Sequence, residues 1–453
     1  MNLVLPASML LVLGLALLTG LPVAVVLIAT AFLFAGIALL TGTMRTEELG
    51  AIFHRIYGTL SDRDEVVYAA VPMLLFMGAI LHETGLAANL LSACARAFGR
   101  VRGGPAVATL AVGAIQAPAA GMIGASTGAL ALYALPALRR HGYRSADAAG
   151  LVAAAGSLGA VAPPGLMLFF VADAIGVQVP ALFLAMLAPL ALLLAFYLAF
   201  AVARGSRPRR EEGIPENLGG ALLTVALMLG LVALVVLGLA TLSEAAALAA
   251  VGAVLAGALH GRLSWRVLDA AIRQTALLSA MVFFIFVGAN VFSLVFRLLG
   301  GTEMVAAGAS AVGVGGGYAP LAAALALVFV LGMFLDWLEI VVIALPVLAA
   351  TLLAAGVGRE LGNAQLAGCW VGALFAIALQ TSFLTPPFGY ALFLVHGAAR
   401  GEVSLADVWR GAMPYVVLQL MVLLAVAALP DLATWLPAQI LDLSIPKAPK
   451  FSD

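Results

Sequence analysis

The sequence predicts an all-α polytopic membrane protein built from inverted-topology repeats. Three features predict it: an apolar composition, hydrophobic stretches from end to end, and two consecutive-proline breaks in matching places. The 453 residues are 64% hydrophobic and 10% charged, far from the balance of a soluble globular domain. Stretches of about 18 apolar residues or more recur along the chain, and a helix needs about 20 to cross the hydrocarbon. About a dozen crossings or half-crossings fit, which leaves no sizeable soluble domain. The main solvent is therefore a lipid bilayer. Lys plus Arg and Asp plus Glu balance at 22 each, so the chain lacks the basic balance of a nucleic-acid binder. Cys94 and Cys369 sit in apolar sequence without metal-ligand spacing and read as packing residues. The N-terminal stretch has no charged leader region and runs apolar past signal-peptide length, so it is expected to be retained as the first two spans.

Loop charge orients the spans, because short cytoplasmic loops are enriched in Lys and Arg. Arg96, Arg100 and Arg102, then Arg139, Arg140 and Arg144, then Arg204, Arg207, Arg209 and Arg210 are placed inside. With both flanks cytoplasmic, 105–138 enters and returns on one side as a re-entrant hairpin. Segment 146–172 then crosses outward to a loop holding Asp173, and 180–203 returns. Spans 218–239, 242–260 and 274–296, separated by a break at 260–273, place Arg262, Arg266 and Arg273 inside and 297–319 outside. Segment 320–355 becomes a second hairpin entering from outside, 365–395 crosses inward to Arg400 and Arg410, and 412–436 leaves the tail in the periplasm. The two lysines of that tail run against the rule.

Internal similarity supports the same division. Leu74–Ala79 reads against Phe284–Ala289, with Gly78 and Gly288 210 residues apart, and Ala134-Leu135-Pro136 reads against Ala344-Leu345-Pro346 at the same offset. Pro163-Pro164 reads against Pro386-Pro387 at an offset of 223. Three matches in one order, in halves that loop charge orients oppositely, indicate inverted repeats. The first covers 1–217, with its hairpin at 105–138 and broken helix at 146–172. The second covers 218–437, with its hairpin at 320–355 and broken helix at 365–395, and 438–453 is a C-terminal tail.

The breaks are where chemistry is expected. Proline inside a helix removes a backbone hydrogen bond and clashes with the preceding turn, so a mid-membrane pair cannot continue the helix. Unwound backbone at that depth is tolerated only where protein or a water-filled cavity satisfies it, and broken helices in matching positions of two halves point to a transport site. The alternative is a pair of structural kinks, against which stand the small hydroxyl and Gly residues flanking both breaks. Each hairpin also carries a polar turn at its tip, Gly121–Gly128 in the first and Phe334–Glu339 in the second. Asp336 and Glu339, three apart, share one helical face. Intramembrane carboxylates usually mark an ion or substrate path; the alternative is a pair at the lipid interface or a partner for a hidden Arg. Sodium, a hard cation, suits unwound carbonyls with Ser, Thr and Asp oxygens, and positive half-helix ends suit a carboxylate substrate. No organic cofactor or enzyme motif is indicated, and no Ser/Lys pair or His/Asp metal set lies within the spans. The histidines, at 54, 82, 141, 260 and 396, fall near span ends and read as interfacial.

At these residues the sequence resembles the large membrane subunit of tripartite ATP-independent periplasmic (TRAP) transporters over nearly its whole length. The carrying stretches are Pro72–Gly78, Gly121–Thr127, Gly142-Tyr143, Ala154–Gly159 through Pro163-Pro164, Ser243–Ala247, Gly332–Asp336 and Thr385–Gly389. Phe334–Glu339 and Gln380–Pro387 look most like the branch often labelled for mannitol or chloroaromatic compounds. The resemblance implies a sodium-driven, elevator-type importer of small organic acids in a bacterial inner membrane. It also implies two separate partners, a small four-helix membrane subunit and a periplasmic substrate-binding protein. By position it places candidate sodium ligands at Ser126, Ser157, Gly159 and Pro163 in the first half and at Asp336, Thr381, Ser382 and Thr385 in the second. Candidate substrate contacts are Thr127, Pro164, Glu339 and Pro387. One departure stands out: many relatives show Gly-Ser-Ser at the first tip, where this chain has Gly124-Ala125-Ser126. The rival within transport is a stand-alone sodium/dicarboxylate or anion exchanger of similar hairpin architecture, needing no binding protein.

Overall fold

The computed structural model describes residues 4–17, 19–45, 47–48, 50, 68–98, 101–116, 123–205, 218–301, 303–304, 318–386, 389–399 and 401–441, with 116, 123–126 and 218 as backbone only. Among the described residues there is no strand. The first half holds α1 (Val4–Leu17), α2 (Val23–Leu40), α3 (Ala70–Glu83), α4 (Leu86–Phe98), α5 (Gly104–Gln116), α6 (Ile123–Arg140), α7 (Ser145–Val161), α8 (Leu166–Ile175) and α9 (Val179–Ala203). The second holds α10 (Leu218–Val236), α11 (Leu242–Leu259), α12 (Trp265–Leu298), α13 (Ala319–Leu331), α14 (Trp337–Ala354), α15 (Ala364–Ser382), α16 (Tyr390–Ala398), α17 (Leu405–Ala428) and α18 (Asp431–Ile440).

Local chemistry sets the ends. Thr241 and Glu244 close a capping box on α11, the Glu244 carboxylate accepting from the Thr241 N–H at 2.8 Å. Asn363 caps α15 by accepting from the amides of Gln365 and Leu366. Pro346 has no amide for the carbonyl of Val342, and the preceding residues Ile340–Ala344 widen into a π turn within α14.

The helices assemble as two groups. In one, α2 packs on α12, α3 on both α11 and α12, and α10 on α4 and α11. In the other, α7 is enclosed by α5, α6, α16 and α17, while α15 is enclosed by α8, α9, α13, α17 and α18. Burial separates α15 from the lipid-facing spans, at 89% of its membrane window against 33–50% for the others. Small residues make the density possible, since apolar helices in lipid gain most from close backbone approach. Gly150 and Gly411 face each other where α7 crosses α17, with no room for a side chain on either.

The central helices α7 and α15 run in opposite directions, as α9 makes plain. Arg204, just past the end of α9, reaches Asp147 in the first turn of α7 at 2.6 Å. Gln178, just before the start of α9, donates its N–H to Gln365 in the first turn of α15 at 3.2 Å. The Arg139–Glu402 ion pair joins the Arg204 end, so 139–147, 204 and 402 share one end and 176–178 and 363–365 the other. That grouping agrees with the loop-charge orientation.

Four sequence boundaries need correction. The stretch between the charged segment 44–65 and Arg96, which the sequence predicts to be a single span, bends by 66° between α3 and α4, where Gly85 adopts a positive φ of 67°. The break expected at 260–273 is shorter, because Ser264 caps α12 by accepting from Val267 and the Asp269–Arg273 pair supports its first turns outside the apolar run. At 34 residues, α12 is about 50 Å long against a hydrocarbon of about 30 Å. The break at 396–411 ends at Ser404, which caps α17. The last span closes at Ala428 rather than continuing to 436; Leu429 and Pro430 separate it from α18, which packs back on α9 and α15 and carries helix through Ile440 into the expected tail.

Candidate transport site

The first break lies between α7 and α8, which meet at 45°. Pro163 and Pro164 lack the amides that the carbonyls of Gly159 and Ala160 would receive in a continuous helix. Ser157, fully buried, donates its hydroxyl to the Ala154 carbonyl at 2.9 Å, which leaves its oxygen to act as an acceptor. Thr127, in the first turns of α6, is also fully buried. It sits against Gly156, where a Cβ would strike the Thr127 side chain and Cα. Hairpin tip and broken helix are thus in contact through a glycine. Ser126 belongs to the backbone-only stretch, and Pro387 lies outside the described residues.

The second break repeats this construction with the roles exchanged. Here the glycine is on the hairpin: Gly332, after α13, lies against the Ser382 side chain at the end of α15. Three buried hydroxyls turn their protons back into the helix: Thr381 to Ile377 at 2.8 Å, Ser382 to Leu379 at 2.6 Å and Thr385 to Thr381 at 2.9 Å. Their oxygens therefore keep acceptor capacity for a cation. Asp336 occupies the N-cap of α14, yet its carboxylate makes no capping bond there.

That carboxylate and Glu339 line a cavity of about 580 Å³. Pro22–Ala24 of α2 and Met281, Phe284 and Ile285 of α12 form one wall; the Gly332–Asp336 turn, Phe383, Tyr390 and Phe393 form the other. The cavity therefore lies between the two helix groups. Of the substrate-contact candidates, Glu339 lines it, whereas Thr127 and Pro164 are not among its lining residues.

Sequence reasoning missed Gln380. Its side-chain amide donates to the Ser157 hydroxyl at 3.4 Å across 223 positions, the offset that separates the two proline pairs. Corresponding residues of the two breaks therefore touch. The Gln380 carbonyl oxygen and the Thr127 hydroxyl are both buried without a hydrogen-bond partner. Applying the proline offset to Ser157 would have found Gln380. Nothing in the sequence signalled the α2 and α12 wall.

Residues 10–432 match the profile of the DctM component of tripartite ATP-independent periplasmic transporters. The chain belongs to that family. Among relatives, it is 26% identical to the C4-dicarboxylate TRAP transporter large permease protein of Pseudomonas aeruginosa, over 81% of this chain and 85% of the relative. It is also 26% identical to the isethionate TRAP transporter permease protein of Oleidesulfovibrio alaskensis, over 81% of this chain but 57% of that longer protein. Among solved structures, the Alcanivorax borkumensis YdaH transporter superposes with a TM-score of 0.52 at 16% identity, covering 87% of this chain and 90% of the other, a likeness of fold. As a TRAP large membrane subunit, the chain is a multi-pass protein of a bacterial inner membrane and a transporter component, not an enzyme.

Proposed function

We propose that this TRAP subunit carries sodium ions and a small organic acid across the inner membrane, with substrate delivered by a separate periplasmic binding protein and with a small four-helix membrane subunit as partner. The observation that carries this reading is the carboxylate-lined cavity at the second hairpin tip, set between two helix groups and backed by two antiparallel broken helices. Sodium bound by Asp336 and the hydroxyl oxygens of Thr381, Ser382 and Thr385 neutralises the only formal charge among those four side chains. Ser157, Gly159 and Pro163 with Ser126 would hold a second ion at the first break. Both tips and both breaks belong to the group built around α7 and α15. That group moves as a body past α2 and α12, in an elevator motion that carries the site between the two sides. The inverted repeats at 1–217 and 218–437 supply the two equivalent end states.

The test is uptake into proteoliposomes holding both membrane subunits, with and without binding protein and a sodium gradient. Uptake that needs both supports the proposal. Full-rate uptake by this chain with sodium alone would instead support the stand-alone exchanger.

A further inference from the structure

The cavity lining narrows the substrate class, an inference that rests on the transport reading above. Two features decide it. Among the described residues, the only charged lining residues are Asp336 and Glu339, and no Lys, Arg or His contributes to the wall. A carboxylate entering this space must therefore be balanced by bound sodium and by the amino ends of α14 and α16, which open at Asp336 and Tyr390. One carboxylate can be served in this way. The second carboxylate of a dianion would lie against aromatic rings or another carboxylate, with no cationic side chain among the described lining residues to pair with it.

The second feature is what surrounds the charges. Rings reach the cavity from four places: Phe284 from α12, Phe334 from the hairpin tip, Phe383 from the break, and Tyr390 and Phe393 from α16. Apart from the two carboxylates, the Tyr390 hydroxyl is the sole side-chain hydrogen-bonding group among the described lining residues. A polyhydroxy acid would bring more hydroxyls than the lining side chains can pair, and each unpaired one opposes binding. An apolar body gains from the same wall, since burying it against rings removes apolar surface from water. We propose that the transported substrate is a monocarboxylate with an apolar aliphatic or aromatic body, and not a dicarboxylate or a sugar acid.

The experiment uses the complex of both membrane subunits in nanodiscs without binding protein, so that selectivity arises in the membrane part alone. Thermal unfolding is followed in 150 mM sodium chloride or choline chloride with benzoate, 4-methyl-2-oxopentanoate, succinate or D-gluconate as probes. In sodium, the two monocarboxylates are expected to raise the unfolding midpoint, with succinate and gluconate at least tenfold weaker in apparent affinity. Phe284→Ala and Phe393→Ala should weaken the monocarboxylate response fivefold or more while the shift caused by sodium itself is retained, which also certifies folding. Succinate or gluconate acting as strongly as the monoacids overturns the proposal, as does a monoacid response unchanged in both Phe variants. A sodium shift with no response to any probe overturns it while leaving the transport reading standing. Absence of any sodium shift removes the transport reading beneath it.

Discussion

Asp336→Asn changes one charge and almost nothing else. Asn is as good an N-cap as Asp, and the Asp336 carboxylate makes no capping bond in α14, so the start of that helix should survive. At a hard-cation contact of about 2.4 Å, a full charge in an effective dielectric of about 20 attracts sodium by about 7 kcal/mol. Much of this is offset, because holding an unpaired carboxylate away from water costs several kcal/mol in the ion-free state. A net loss of about 2–3 kcal/mol remains, equivalent to a rise of about 30- to 150-fold in the sodium concentration for half-maximal uptake. Thr385→Val removes a neutral oxygen whose proton is already donated to Thr381 at 2.9 Å. Loss of a neutral hydrogen-bonding group typically costs about 1 kcal/mol, so about a fivefold rise is expected. The assay is initial uptake against sodium concentration in proteoliposomes with binding protein, with insertion checked by protease protection. Unchanged sodium activation in both variants would show that the second break is a structural kink and that these residues do not hold the ion.

Further outcomes follow from the same geometry. A Ser157→Ala and Gln380→Met double-mutant cycle on the unfolding midpoint should give a coupling of about 0.5–1 kcal/mol, as expected for one buried hydrogen bond; additive effects would mean that the two breaks do not touch. Gly156→Val, which drives a side chain into Thr127, should destabilise by about 1–3 kcal/mol and abolish uptake even where protein accumulates, whereas wild-type uptake would separate the first hairpin tip from transport. Glu339→Gln tests proton carriage by this carboxylate: if it carries a proton, uptake is pH-dependent and the Gln variant abolishes that dependence. Cysteines at Ser145 and Glu360 should be labelled from the cytoplasm and the periplasm respectively, and labelling of both from one side would contradict the antiparallel course of α7 and α15.

In this chain the sequence by itself determined whatever depends on neighbouring residues. Proline pairs break helices wherever they stand, so Pro163-Pro164 and Pro386-Pro387 located both breaks without knowledge of what surrounds them. Arg-rich loops ordered the ends because the lipid environment acts on each loop separately. The tertiary structure decided what depends on which faces meet. Lipid-facing and protein-facing sides of a span are equally apolar, so hydropathy carries no facing signal, and nothing local marked Pro22–Ala24 or Met281–Ile285 as a wall opposite Asp336. The start of α12 escaped for the converse reason: its first turns are charged and held by the Ser264 cap and the Asp269–Arg273 pair, which a search for apolar runs reads as loop. Ser157 and Gln380 meet only because two antiparallel helices cross at equivalent points, a contact across 223 residues that folding creates and no local pattern encodes.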